Sequence, residues 1–246
     1  MSYNTQSAGR PSMDGAEFTF WRDHTNISLQ PVAAPSVLGL FGFAGATFIV
    51  ATNLAGWYGS TSVTPTFLFP FAAMFGGLAQ FLAGMWAYRA RDTLATAMHG
   101  TWGAFWLGYG ILYLLVAVRV LVPPNPFVPL GFWFAVLAAV TWSGAIAALA
   151  VNLSLASVLA TLAGGATCEA VGMIAGSSAW RTIGAYLFIA SAILAWYTAT
   201  ALLFEASFKR VVLPVGRVGG GSNRPGRPPS EPIQYMAGEP GVKIGQ

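Results

Sequence analysis

Charge is scarce in this chain. Only 8% of its 246 residues are Asp, Glu, Lys or Arg, and 55% are hydrophobic, whereas about a quarter of a soluble domain is charged. A soluble globular protein is therefore excluded. Six of the twelve basic residues (Lys209, Arg210, Arg217, Arg224, Arg227 and Lys243) follow the last apolar run. The net charge of +4 thus describes a basic cytoplasmic tail and not a nucleic-acid surface. Cysteine occurs once, as Cys168 inside an apolar run, so there is no internal disulfide. The two histidines and the cysteine stand far apart without ligand spacing, so no metal and no cofactor is expected. Neither a phosphate loop nor a nucleophile with a base and an orienting partner is present. The chain is expected not to be an enzyme, and no catalytic residue is nominated.

Long apolar runs are present instead, nearly filling residues 37–206. At about 20 residues per span they leave room for roughly six helices and short loops. A transmembrane β-barrel would alternate apolar and polar residues, which "FAVLAAVTWSGAIAALAV" does not do. The expected fold is an all-α integral membrane protein. Its spans are placed at 36–56, 67–88, 98–121, 130–151, 155–175 and 183–206. Residues 1–33 read as a flexible cytoplasmic N-terminal tail without a signal peptide, 34–207 as the six-helix transmembrane domain, and 208–246 as a cytoplasmic C-terminal tail, mostly disordered after Gly216. Arg22, Arg89, Arg91, Lys209, Arg210 and Arg217 fall on one side of such a bundle and Arg119 and Arg181 on the other, which by the positive-inside rule gives N-in, C-in. Trp57, Tyr58 and Trp180 suit an interfacial belt.

Small residues on span 2 (Gly76, Gly77, Ala79, Ala83, Gly84, Ala87) share one face, where helix backbones can approach closely. Ionisable groups inside spans are few. Glu169 in "GGATCEAVG" reads either as a proton-coupling or solute-binding carboxylate or as a carboxyl without a direct role, with no basic partner evident in the bilayer. His99 reads as an interfacial helix end or a pH sensor, and Arg119 as a snorkelling anchor or a vestibule charge. Glu205 precedes Lys209 by four residues, an order that suits a helical ion pair. Thr47, Gln80, Thr101, Thr141 and Ser143 either close interhelical hydrogen bonds or line a solute path.

Five motifs occur in order: "VLGLFGF", "FGGLAQFLAGMWAY", "TWGAFW", "AWYTATA" and "RVVLPVG". Together they resemble the succinate–acetate permease family, also called the acetate uptake transporter or YaaH-type family, over about residues 34–216. The resemblance implies six helices per subunit, a pore within each subunit and a homo-hexamer in the cell membrane, bacterial inner or eukaryotic plasma. It implies passage of acetate and related small monocarboxylates, with succinate in some members, by a channel or a proton-coupled carrier. The family opening, Asn-Pro-Ala-Pro-Leu-Gly-Leu, matches Ala34 to Leu40 here without its asparagine and second proline, which nominates Pro35, Leu38, Gly39 and Leu40 for the solute pathway, beside the polar Gln80 and Thr101. The family's narrow point falls on Phe43, Trp102 and Leu162, with Trp102 in place of tyrosine. Ala87 stands where a glutamate is common, and Arg91-Asp92 where Gly-Asn is usual. Two other functions stay open: a channel for another small solute such as ammonia or water, and a membrane scaffold that transports nothing.

Pro35 and Gly39 also raise a physical point. Proline suits a first helical turn, where its missing N–H is no loss. Glycines at 39 and 42 strip side chains from a helix face, so that a neighbour or a solute can reach the backbone.

Overall fold

A computed structural model describes residues 32–122 and 127–218. Six helices, each long and apolar enough to cross a membrane, account for most of them: α1 Pro35–Leu54, α2 Pro65–Arg89, α3 Thr93–Ala117, α4 Val128–Ala148, α5 Leu153–Ile174 and α6 Ser178–Phe208. Among the described residues there is no β-strand, only one isolated antiparallel bridge between Asn152 and Arg217. Residues 1–31 of the expected N-terminal tail (1–33), residues 219–246 of the expected C-terminal tail (208–246) and most of the proline cluster before α4 lie outside the described residues.

Several helices start earlier than hydropathy suggests, because polar caps precede their apolar runs. Asp92, in extended backbone, accepts the Ala95 N–H at 2.8 Å and opens α3 at Thr93. Asn152 does the same for α5 through the Leu155 N–H at 2.8 Å. Each satisfies one of the unpaired amides of a first turn. Pro35 occupies the first turn of α1, as its chemistry favours.

Neighbours in sequence are neighbours in space. α1 packs on α2, α2 on α3, α3 on α4, α4 on α5 and α5 on α6, and α6 returns to α1, which closes a ring around a central axis. At one end, here the tail end, lie the start of α1, the α2–α3 and α4–α5 turns and the chain after α6. At the other, the far end, lie the three remaining connections.

α2 is irregular. It is α-helical over Pro65–Phe71, π-helical over Ala72–Ala79 and α-helical again from Gln80 to Arg89. Pro70 lies inside it. That residue has no N–H to donate, and its ring crowds the carbonyl four residues back, so the ladder widens where it must resume. The widened stretch meets α1 at Gly42, where a Cβ would collide with the Phe75 carbonyl oxygen. At Gly84 a Cβ would lie 2.7 Å from the backbone nitrogen of Gly100 on α3. Close approach thus explains two of the small residues.

Past α6 the chain turns at Lys209, whose φ is 55°, and comes back along the tail end as a strap. The Leu153 N–H donates to the Gly216 carbonyl and the Ser154 N–H to the Val215 carbonyl, each at 3.0 Å. The Tyr197 hydroxyl donates to the Pro214 carbonyl at 2.7 Å, and Val211 and Val215 are buried. Arg217 donates twice to Glu205, at 2.8 and 2.6 Å. The expected Glu205–Lys209 pair is thereby corrected: the left-handed turn at Lys209 ends the helix, and the strap delivers Arg217 to the carboxylate.

Candidate functional site

Two cavities lie on the ring axis, one toward each end. The tail-end cavity has a volume of about 60 Å³ and includes Leu40, Phe43, Gln80, His99, Trp102 and Leu162 in its wall. The far-end cavity, of about 90 Å³, includes Thr47, Trp102, Tyr109, Leu162, Glu169 and Arg181. One water needs about 10–15 Å³ of such space, so each could hold several. Trp102 and Leu162 belong to both walls.

On alternate helices stand Trp102 of α3 and Leu162 of α5, which both walls share, and Phe43 of α1, which lines the tail-end cavity beside the indole. All three side chains are buried, each 2% exposed. Phe43 meets Trp102 edge to face, with ring centroids 6.3 Å apart. Phe105 and Phe188 approach the same indole at 5.4 and 6.4 Å. The indole is held by more than packing. Its Nε1–H donates to the Thr141 hydroxyl oxygen of α4 at 3.0 Å, and that hydroxyl donates to the Leu137 carbonyl at 2.6 Å. A tyrosine in place of Trp102 could not make this bond with a ring nitrogen. The sequence hint was a tryptophan and a threonine on apolar helices, without any sign that they meet.

Polar atoms gather in the chambers. Gln80 Oε1 and His99 Nδ1 in the tail-end cavity are buried without a hydrogen-bond partner, as are Thr47 Oγ1, Tyr109 Oη and both Glu169 oxygens in the far-end cavity. Buried polar groups are normally paired, with water if not with protein, so these atoms mark places where water or a polar solute belongs. Asp92 also reaches the tail-end cavity. Burial pushes its carboxyl above the usual carboxylate range, while amide hydrogen bonds from Ala95 and Leu94 act in the opposite sense.

Other residues nominated for the pathway separate into groups. Leu40 and Gln80 line the tail-end cavity. Leu38 departs from expectation: it is half-exposed, because five residues before Phe43 places it about 140° around the helix, on the outer face. Gly39 serves the pathway only indirectly. A Cβ there would lie 2.5 Å from the His99 ring, so its bare backbone seats that imidazole. Pro35 is buried in its first-turn role and, like the half-buried Thr101, lines neither cavity. Ser143 is turned outward and donates to the Ala139 carbonyl. His99 is buried, 6% exposed, and stands inside α3, which begins at Thr93. Glu169 does have a basic neighbour, Arg181 of α6, with Nε 3.6 Å from Oε2. That pairing was illegible because Arg181 reads as a loop residue until α6 is seen to begin at Ser178. Among the described residues no group of three or more His, Cys, Asp or Glu could hold a metal.

A closed six-helix ring, with two chambers on its axis whose walls share Trp102 and Leu162, defines a membrane protein built around a central pathway. The chain belongs to the GPR1/FUN34/yaaH family, whose model matches residues 19–218. It is 27% identical over 191 residues to the succinate-acetate/proton symporter SatP of Escherichia coli strain K12, covering 75% of this chain and 96% of that protein. A shorter match, 31% identical over 91 residues, joins 36% of the chain to 29% of acetate permease A of Emericella nidulans. Ammonia transport outward protein 2 of Saccharomyces cerevisiae is 35% identical over 82 residues, 33% of this chain and 28% of that one. The solved structure of the bacterial acetate channel SatP superposes with a TM-score of 0.69 at 25% identity, over 75% of this chain and 99% of that one.

Proposed function

We propose that this protein carries acetate and related small monocarboxylates, succinate among the possible larger ones, across a cell membrane. The observation that carries this reading is a pair of chambers on the axis whose walls share Trp102 and Leu162 and hold unpaired polar atoms; in the proposal these two side chains and Phe43 form the apolar partition. A small carboxylate is received by amide, imidazole and hydroxyl groups in one chamber, crosses the partition and is received again in the other. The partition admits only small solutes and empties of water when unoccupied. A bare carboxylate held there would incur a large desolvation cost. The carboxyl of such an acid titrates near about 4, as side-chain carboxyls do, so passage either follows protonation or keeps the charged end in a chamber while the methyl passes the ring.

The test is uptake of labelled acetate by proteoliposomes, compared with protein-free vesicles. Trp102→Ala should widen the partition and raise the uptake of lactate relative to acetate by about tenfold or more, the scale of the ~1–3 kcal/mol that one methylene is worth in an apolar pocket. An unchanged ratio would remove Trp102 from the pathway. Unlabelled ammonium that competes as well as acetate would favour the other small-solute reading, and no flux above the vesicle background would favour a scaffold. Transport without chemical conversion makes the protein a carrier or channel and not an enzyme. The apolar outer faces of the ring, such as Phe67, Phe71 and Trp86 on α2, suit lipid and like subunits. Assembly as a homo-hexamer is the expectation to be checked by native mass in detergent.

A further inference from the structure

Two carboxylate–arginine pairs among the described residues have opposite character. Glu205 and Arg217 are locked by two hydrogen bonds at the tail end, at 2.6 and 2.8 Å. Glu169 and Arg181 are merely close. Their contact of 3.6 Å exceeds hydrogen-bond length, and neither Glu169 oxygen nor Arg181 Nε has a hydrogen-bond partner. Glu169 is fully buried, yet Arg181 is 40% exposed in its side chain, and both line the far-end cavity. The pair is given room by two glycines. A Cβ at Gly172 would lie 2.5 Å from Arg181 Cγ, and one at Gly184 would lie 3.2 Å from Glu169 Oε1. A buried carboxylate with unfilled acceptors beside a guanidinium with donors to spare is an ion pair that can open.

We propose that Arg181 is a carboxylate-receiving residue of the far-end cavity, and that Glu169 is a built-in carboxylate that holds the guanidinium until a proton neutralises it and a solute carboxylate takes its place. This rests on the transport reading above. Charge conservation argues for the exchange. With Glu169 ionised the cavity holds one cation and one anion. Admitting a second anion would leave an uncompensated charge in a low-dielectric site. If a proton from the far-side water binds a Glu169 oxygen as the solute binds Arg181, the cavity again holds one cation and one anion. The exchange forms one O–H bond and breaks one in the donor water species. Proton and carboxylate binding then assist each other by the same factor in either order. Arg181 meets the carboxylate as a planar fork that suits its two oxygens.

The groups around Glu169 are compatible with this. On its own helix the nearest titratable group is the Cys168 thiol. From α6 comes Arg181, and from α3 the hydroxyls of Tyr109 and Tyr113; α1 contributes Thr47 and Asn53, and α4 only Leu130 and Phe134. Among the described residues no second carboxylate lines the cavity to compete for the guanidinium.

The full-length chain in proteoliposomes tests this, with acetate uptake and proton uptake followed together from about pH 5 to about pH 8, a range that brackets the ordinary carboxyl and imidazole values. Wild-type protein should show an acetate KM that rises with pH and a proton that enters with each acetate. Glu169→Gln imitates the protonated residue, so its KM should no longer depend on pH and its proton uptake should fall to the vesicle background. Arg181→Gln should raise the acetate KM about tenfold, within the usual range of such couplings, and Arg181→Lys should recover part of that loss. If Arg181→Gln does not fold, acetate-dependent thermal stabilisation of Glu169→Gln and Arg181→Lys in detergent, at both ends of the pH range, decides the matter. A Glu169→Gln protein with the wild-type pH profile, or an Arg181 variant with the wild-type KM, overturns the exchange and leaves the transport reading intact. Absence of acetate flux in the wild type overturns both.

Discussion

At the scale of single residues, the proposed partition depends on one hydrogen bond. The Trp102 ring could turn in an apolar setting, and the Thr141 hydroxyl fixes it by accepting its N–H at 3.0 Å. Thr141→Val keeps the shape and removes the acceptor, leaving a buried indole N–H unpaired at a cost of about 1–3 kcal/mol. Its melting temperature in detergent should fall, and its lactate-to-acetate ratio should move in the direction of Trp102→Ala but less far. Asp92 offers a second case. Burial raises its carboxyl above the unfolded value, so its ionised form is the one the fold disfavours. That contribution favours the folded state at low pH and is lost as pH rises through the unfolded and then the folded value. Asn caps a helix about as well as Asp. Asp92→Asn should therefore match the wild type near about pH 4 and melt higher near neutral pH, and equal melting at both would contradict the burial argument.

At the scale of elements, glycines facing one another across α2 and α3 differ in how strictly their contacts require them. Gly84 meets backbone, the Gly100 nitrogen, whereas Gly100 itself faces open space within 4 Å. Two substitutions of the same kind should then have opposite effects. Gly84→Ala forces α2 and α3 apart and should destabilise by about 1–3 kcal/mol, as overpacked contacts do. Gly100→Ala meets nothing and should be neutral or stabilise by up to about 1 kcal/mol through helix propensity. Thermal melts of the two variants side by side check this. The π-helical stretch of α2 belongs to the same scale: Pro70 is visible in the sequence, but where the ladder repairs itself depends on how α1 lies against Phe75 at Gly42. Hydropathy read the spans well in their middles and poorly at their ends, because Asp92 and Asn152 are polar and yet begin helices.

At the scale of the whole molecule, six consecutive neighbours make a ring with its own axis, and the strap ties the end of α6 to the start of α5. From the charge pattern we propose that the tail end faces the cytoplasm. Cys168 is buried and single, so a Cys168→Ser background leaves no native thiol. Within that background, a cysteine in place of Ser60 should react with an impermeant maleimide added outside intact cells, and one in place of Ala90 should not. The reverse pattern would invert the assigned topology. The family resemblance was legible in five short motifs running from Val37 to Gly216.

What the sequence determined by itself is the solvent and the count. Scarcity of charge and the length of the apolar runs leave a bilayer and six helices, since every backbone polar group in lipid must be satisfied within its own segment. The motifs also nominated the partition residues. Only the tertiary structure decided which side chains face the axis. Helical spacing alone cannot say that Leu38 points outward, that Gly39 exists to seat His99, that Thr141 holds Trp102, or that Arg217 and not Lys209 answers Glu205. Those are contacts between helices far apart in sequence, and their partners are chosen by rotation and packing, which no local pattern records.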